Sequence, residues 1–217
     1  MTAPPIRTFG RTKSRTLKPA RAALLAELLP RLAIPSGRFD PGQREVWLEI
    51  GFGGGEHLAE QAQRWPDVLF LGAEPFLNGV SSMLQKVLER DLSNVRLWPG
   101  DARELMATLP DASLTRIFLL FPDPWPKTRH HKRRLVDAAF VAEAARLLKS
   151  NGRLRFATDW ADYANQTLEV FIHSPAFVWT AARADDWRLA PADHVPTRYE
   201  AKALGDCRPI WLEFERV

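Results

Sequence analysis

An α/β domain around a mostly parallel sheet is the fold the sequence predicts, and three observations carry that prediction. Short apolar runs alternate with helical segments from residue 46 to about residue 173, the pattern of parallel strands joined by right-handed crossovers. A glycine turn, Gly51-Phe52-Gly53-Gly54-Gly55, separates the first of those strands from the first of those helices; without side chains the backbone can approach a ligand there. Acids stand at successive strand ends, at Glu49, Glu74 and Asp101. The length of 217 residues suits one such domain. With 46% hydrophobic and 26% charged residues, the chain is globular in composition rather than disordered.

Residues 1–20 read as a basic arm, and Ala22–Leu32 as a helix with Leu24, Leu25, Leu28, Leu29 and Leu32 on one face. Residues 1–35 are therefore set apart as arm and leading helix, and residues 36–217 as the main domain. Pro35–Gln43 is a turn-rich linker. Strands are predicted at Val46–Ile50, Val68–Ala73, Val95–Trp98, Arg116–Phe121 and Arg153–Ala157. Helices are predicted between and after them at Glu56–Arg64, Leu77–Arg90, Arg103–Leu109, Leu135–Leu148 and Tyr163–Ile172. The helix from Leu135 is expected to stop at Asn151-Gly152, a helix-ending pair. Phe177–Ala181 and Ile210–Glu215 are two last strands with no full helix between them, which predicts a hairpin at one sheet edge. Trp47, Trp98 and Trp211 lie on strands and read as core. No internal repeat and no low-complexity tract is present.

Net charge is +4, but its distribution says more than its total. Residues 1–21 hold Arg7, Arg11, Lys13, Arg15, Lys18 and Arg21 and no acid. Lys127–Arg134 holds five Lys/Arg, two His and no acid. Two acid-free basic segments in an otherwise balanced chain point to an anionic partner, nucleic acid first. The single cysteine, Cys207, excludes an internal disulfide and fits a reducing, cytoplasmic setting. No stretch approaches the ~20 apolar residues of a membrane span, and Glu27 and Arg31 interrupt the partly apolar Ala20–Pro35, against a signal peptide. The Arg-rich N-terminus is compatible with an organelle transit peptide, although Pro4, Pro5 and Pro19 break the helix such a peptide needs.

The stretch Phe121-Pro-Asp-Pro-Trp-Pro-Lys-Thr-Arg-His-His-Lys-Arg-Arg134 is the most informative in the chain. It holds Asp123 between two prolines at the end of a buried strand, where α/β enzymes keep their chemistry. Each proline fixes its own φ and restricts the residue before it, so the loop presenting Asp123, Trp125 and Lys127 is stiff. The charge run alone would read as a solvated face; the embedded acid turns the reading toward a site for a polyanion.

The glycine turn alone is a weak signal. A dinucleotide fingerprint asks for glycine or alanine at position 56, and the chain has Glu56. Acids beside a helix N-terminus repel a pyrophosphate. S-adenosylmethionine carries a sulfonium and an amino group and no phosphate, and is compatible with them. Glu74 stands about 20 residues after the loop, where an acid can accept from both ribose hydroxyls. Asp101 can accept from the adenine amino group. Each acid has an ordinary alternative as a turn residue or helix N-cap; their recurrence at strand ends favours a methyl-donor site.

At this point the chain resembles the bacterial tRNA (guanine-N7-)-methyltransferases, from about Arg7 to the C-terminus. The resemblance rests on Glu49-Ile-Gly-Phe-Gly, Gly72-Ala-Glu-Pro, Gly100-Asp-Ala, Phe121-Pro-Asp-Pro-Trp-Pro-Lys, His130-His-Lys-Arg-Arg-Leu, Thr158-Asp159, and Thr197-Arg-Tyr-Glu200 with Lys202. The first three are shared by many methyltransferases; the Pro-Asp-Pro-Trp-Pro-Lys segment and the late Thr-x-x-Glu are far more specific. The resemblance implies the class I methyltransferase fold, Rossmann-like, with seven strands and the last antiparallel. It implies transfer of a methyl group from S-adenosyl-L-methionine to N7 of a variable-loop guanosine in tRNA, by a monomer or homodimer without metal. The donor would bind at Glu49, Gly51, Gly53, Glu74, Asp101 and Asp123. Substrate contacts would fall at Lys127, Asp159, Thr197, Arg198, Tyr199 and Glu200, and RNA contacts at Arg129, His130, His131, Lys132, Arg133 and Arg134. Thr128, Ala203 and the run Gly53-Gly54-Gly55 depart from the family pattern.

Guanine N7 is a lone-pair nucleophile without a proton, so the reaction needs alignment rather than a general base, together with stabilisation of the charge that moves onto the base. Asp123 is the candidate catalytic residue for both. Asp159 ends the fifth strand on the same sheet edge, and Glu200 can accept from guanine N–H groups that adenine lacks. Arg198 and Lys202 flank Glu200 and are candidates to orient it. His130 and His131 are candidate metal ligands, but with no other His or Cys at ligand spacing the sequence favours phosphate contact or simple solvation. Trp125 and Tyr199 read as stacking platforms for a flipped base or as core aromatics. A methyltransferase for a small molecule or protein, and an RNA-binding module without catalysis, are the competing classes.

Overall fold

The computed structural model describes residues 17–37 and 39–217; the basic arm expected over residues 1–20 falls almost wholly outside them. Seven strands form one sheet: β1 (Val46–Ile50), β2 (Leu69–Ala73), β3 (Val95–Trp98), β4 (Leu114–Leu120), β5 (Leu148–Thr158), β6 (Phe177–Trp179) and β7 (Ile210–Arg216). Their spatial order is β3-β2-β1-β4-β5-β7-β6. β7 runs antiparallel to both of its neighbours, β5 and β6, while every other pairing is parallel. The predicted edge hairpin is therefore present, with its second strand inserted between β5 and β6.

Alternation along each strand splits the apolar residues between the two faces. Val46, Leu48 and Ile50 join one buried cluster with Leu105, Phe140, Tyr163 and Phe171, from α5 (Ala102–Met106), α6 (Ala138–Leu147) and α7 (Ala161–Ile172). Trp47 and Phe118 join the other with Leu58, Val80 and Met83, from α3 (Glu56–Arg64) and α4 (Leu77–Glu89). A sheet buried on both faces by helices is what parallel pairing requires.

The leading segment is two helices, α1 (Pro19–Glu27) and α2 (Leu29–Leu32), not the single helix predicted. Pro30 has no N–H to continue the ladder, and the chain breaks at Leu28. α1 packs on α4, α2 packs on β3, and Ile34 donates its amide to Leu97 O at 2.9 Å. The division drawn at residue 35 is thus a boundary of composition, with packing continuous across it.

The helix expected from Leu135 begins only at Ala138, because Asp137 caps it by accepting Phe140 N–H at 2.8 Å. Residues 128–133 form a 3₁₀ turn instead. Asn151-Gly152 does not end that helix. It lies inside β5, where Asn151 takes a φ of 63° and the β4–β5 register shifts between the Leu114↔Leu148 and Arg116↔Arg153 pairs. A left-handed residue is what such a bulge needs, and Asn tolerates it. A short helix, α8 (Asp185–Arg188), was not foreseen. Among the described residues no helix is long and apolar enough to cross a membrane.

Strand order reverses between β1 and β4, which pair at Ile50↔Leu119. Loops leaving the C-terminal ends of strands at such a switch diverge and leave a crevice. The glycine turn leaves β1 there and the Asp123 loop leaves β4 there, so topology alone brings residues 51 and 123 to one place.

Candidate active site

A cavity of about 770 Å³ opens at that switch point. Gly51, Gly53, Glu74, Asp101, Asp123, Arg133, Arg198 and Tyr199 contribute to its lining, together with Arg21, Gly79, Arg103 and Lys202. Eight predicted site residues therefore meet in one cavity. Glu49, Lys127, Arg129, His130, His131, Lys132, Arg134, Asp159, Thr197 and Glu200 lie outside its lining.

The glycine turn is shaped for a ligand. Gly51 and Gly53 have φ of 71° and 54°, and a Cβ added to either would meet nothing within 4 Å. Their backbone faces open cavity, so the approach is bare on the ligand side. Glu74 closes the turn from behind, accepting Gly53 N–H at 2.8 Å and Phe76 N–H at 2.9 Å. Burial pushes the Glu74 carboxyl above its ordinary range; the two amides oppose the shift, while Asp123 and Glu49 add to it. An acidic floor under a cavity of this size fits a cationic, hydroxyl-bearing ligand better than a phosphate.

Asp101 caps α5 by accepting Arg103 N–H at 3.0 Å, and it pairs with the Arg103 guanidinium at 2.9 and 2.7 Å. The N-cap role weighed from sequence is thus present, with the same carboxylate at the cavity wall. Glu49 is 5% exposed and outside the cavity lining, its Oε2 2.7 Å from His57 Nδ1.

Asp123 is exposed at the cavity mouth. The stiffness predicted for its loop has a second source. Phe121 and Trp125, on either side, take φ of 51° and 45°, a left-handed conformation that bulky residues rarely adopt without being held there. Phe121 is held by Trp211 at 5.8 Å and Tyr199 at 5.9 Å between ring centroids. Trp125 has the Arg133 guanidinium 4.9 Å over its ring and His130 edge-on at 6.0 Å.

Arg134 departs from the RNA-contact reading. Its side chain is 1% exposed and donates to Pro124 O at 2.8 Å, Gln166 Oε1 at 2.6 Å and Asp162 Oδ2 at 2.7 Å. It also lies 4.8 Å over the Tyr163 ring, whose hydroxyl burial pushes up to about 12. A buried guanidinium already donating to three oxygens is not placed to hold a phosphate. It pins the carbonyl next to Asp123 instead. Lys127, Arg129 and Lys132 remain exposed on the same block. His130 sits below the usual histidine range, through desolvation and then Arg133, Arg129, Lys127 and Lys132. Among the described residues no cluster of three or more His, Cys, Asp or Glu could hold a metal.

The late Thr-x-x-Glu has a local role that its sequence pattern could have announced. Glu200 accepts Thr197 N–H at 2.8 Å and its own amide approaches Thr197 Oγ1 at 3.4 Å, a capping box on the 3₁₀ turn Glu200–Lys202. Glu200 also takes His194 Nε2 at 2.8 Å. Arg198, expected to orient Glu200, pairs instead with Glu56 at 2.8 Å. Asp159 is buried and accepts Gly205 N–H at 2.9 Å, so it clamps the loop before β7 rather than standing open to a base. Gly79 and His194 were missed. Glycine in the first turns of a helix carries a cost that implies close packing, a signal for Gly79; nothing in the local pattern marks His194.

Residues 43–212 match a family model described as "Putative methyltransferase". A tRNA (guanine-N(7)-)-methyltransferase of Caulobacter sp. (strain K31) is 56% identical over 98% of this chain and 96% of its own length. One from Hyphomonas neptunium is 51% identical over 96% and 99%. Among solved structures, an rRNA methylase from Streptococcus thermophilus superposes with a TM-score of 0.54 at 11% identity, over 94% of this chain and 99% of that one. A Streptococcus mutans protein solved in complex with SAH gives 0.53 at 10% identity, over 93% and 99%. At these identities the structures speak for the fold alone.

Proposed function

This chain belongs to the tRNA (guanine-N(7)-)-methyltransferase family, and from that premise we infer how its own residues divide the reaction. It is an S-adenosylmethionine-dependent enzyme that methylates guanine N7 in tRNA. The observation that carries the assignment of roles is the meeting of the glycine turn, Glu74 and Asp123 in one cavity.

The donor would occupy the floor of that cavity. Gly51 and Gly53 would offer it bare backbone, Glu74 would accept from its ribose hydroxyls, and Asp101 would stand at the wall beside its adenine. When bound, S-adenosylmethionine supplies a methyl group activated by its sulfonium charge. Asp123 does the remaining work from the mouth. It accepts from the guanine edge, which orients N7 along the line of attack, and its fixed negative charge stabilises the positive charge arriving on the base. No proton leaves N7, so no side chain here has to act as a base. Tyr199 and Trp125 flank the entrance as stacking surfaces for an unstacked base. Lys127, Arg129 and Lys132 hold phosphates, which position RNA without reading its sequence. The enzyme works where tRNA is modified, in the cytoplasm, a setting its single cysteine suits.

The test is incorporation of labelled methyl from S-adenosylmethionine into unmodified tRNA, followed by identification and mapping of the product base. The expected product is 7-methylguanosine in the variable loop. A methyl group on another atom, or a nucleotide outside that loop, overturns the specific assignment.

A further inference from the structure

Two histidines outside the cavity tie its two halves together. His57, on the first turn of α3, is 1% exposed and stands 2.7 Å through Nδ1 from Glu49, at the end of β1 just before the glycine turn. His194, before the Thr197–Glu200 turn, is 5% exposed at its side chain and stands 2.8 Å through Nε2 from Glu200. The two rings stack at 6.0 Å with planes 28° apart. His194 also lies 4.3 Å from Trp211, the residue that holds Phe121 beside Asp123.

The hydrogen-bond partners assign the ring protons. Gln61 donates its amide N–H to Asp193 O at 2.7 Å and points the same nitrogen at His57 Nε2, 3.4 Å away. His57 Nε2 is therefore the acceptor, and Nδ1–H donates to Glu49. His194 has carboxylate oxygens only at Nε2, so Nε2–H donates to Glu200; its buried Nδ1 has no partner among the described residues. Both rings thus direct an N–H at a carboxylate. Asp193, next in sequence, anchors the segment to the sheet through Arg155 at 2.7 Å and Arg116 at 3.3 Å. A second, solvent-facing tie runs parallel, from Arg198 to Glu56 on the same turn of α3.

We propose that His57 and His194 are positioning residues that lock the nucleoside-side turn Thr197–Glu200 against the donor-side strand end at Glu49. Glu200 then acts through the turn it caps, and Arg198 and Tyr199, the two residues inside the box, are the ones presented to the cavity. Neither histidine reaches the cavity lining, so neither touches substrate. The kinetic part of this proposal rests on the tRNA methyltransferase reading above; the structural part does not.

The experiment uses the full chain with His194→Ala, His194→Gln, His57→Ala and His57→Asn. Glutamine can place an N–H where Nε2 stood, and asparagine where Nδ1 stood. His194→Ala should raise the KM for tRNA about tenfold, the usual loss for one hydrogen bond to a charged group, with S-adenosylhomocysteine affinity within about twofold of wild type. His57→Ala should weaken S-adenosylhomocysteine binding by a similar factor. Amide hydrogen exchange over residues 197–203 should accelerate in both alanine variants, because the Thr197 amide is held only while Glu200 is held. His194→Gln and His57→Asn should recover protection and most of the lost binding. Unchanged exchange and KM in His194→Ala overturns the proposal. Equal loss in His194→Gln also overturns it, since ring volume rather than the hydrogen bond would then matter. Should wild-type protein leave tRNA guanine unmethylated, the functional reading fails, and the exchange measurements still decide the positioning role.

Discussion

Gly53 and Glu74, 21 residues apart, are joined by one hydrogen bond of 2.8 Å. The backbone proposed to meet the donor and the acid proposed to meet its ribose are therefore a single unit, and anything that shifts one shifts the other. Gly79, in α4, is packed against this unit: a Cβ there would stand 2.2 Å from Gly53 O and 3.2 Å from Glu74 Cγ.

Gly79→Ala should accordingly displace the glycine turn. A misplacement of about 1 Å at a binding element costs on the order of a hundredfold in catalysis. Calorimetry with S-adenosylhomocysteine should show sharply weakened binding, while circular dichroism reports an intact fold. Wild-type affinity in this variant would mean that α4 yields more easily than its anchoring in the core through Val80 and Met83 suggests.

With Glu74 as the proposed ribose acceptor, donor binding should be pH-dependent. Its folded carboxyl titrates above the ordinary value of 4.5 because burial disfavours the charge. The folded state thus holds this proton more tightly than the unfolded state. The group's contribution to stability is full below 4.5 and is lost as pH rises through the raised folded value. Donor affinity should run the other way, since ribose hydroxyls held by Glu74 need the ionised acceptor. S-adenosylhomocysteine affinity should climb over the window just above 4.5, and Glu74→Gln should flatten the climb. A pH-independent wild-type affinity there would remove Glu74 from the ribose.

Asp123→Ala should abolish methyl transfer without unfolding the protein, because the side chain is exposed rather than part of the core. Loss of one preorganised electrostatic contact costs about 3 kcal/mol, roughly a hundredfold or more in rate. Single-turnover assays beside a thermal melt check this. A folded variant with near-normal turnover would reduce Asp123 to a turn residue.

Arg134→Met should lower both stability and turnover. The substitution keeps much of the packing over Tyr163 but leaves Pro124 O and Gln166 without their donor. Unmet buried acceptors cost about 1–3 kcal/mol, a fall of several degrees in Tm for a chain of this length. Because Pro124 follows Asp123 directly, kcat should drop while the salt dependence of tRNA binding stays as in wild type. A reduced salt slope would return Arg134 to the phosphate contacts.

Arg129→Ala and Lys132→Ala should behave in the opposite manner. Both side chains are exposed on the 3₁₀ turn beside the cavity. Each lost phosphate contact should reduce the log–log salt slope of tRNA binding by about 0.7–0.9, with Tm unchanged. Filter binding across a salt series measures the slope, and a slope indifferent to both substitutions would make the block plain solvated surface.

The alternation of apolar strands and amphipathic helices determined the fold class, and the strand ends located Gly51, Gly53, Glu74, Asp101 and Asp123, because periodicity and turn chemistry are local properties that neighbouring residues state in full. The Pro-Asp-Pro-Trp-Pro motif likewise announced a stiff loop from its own residues. What a side chain does with its charge is decided by what packs against it from elsewhere in the chain. Arg134 and Arg129 stand in the same basic run, yet only tertiary packing buries Arg134 among Pro124, Asp162 and Gln166 and leaves Arg129 in solvent. Glu49 and Glu200 looked alike as open acceptors until His57 and His194, from segments with no sequence relation to them, took up their oxygens. A carboxylate's partners are set by distances across the fold, and those distances exist only once β1, α3 and the segment before β7 have packed together.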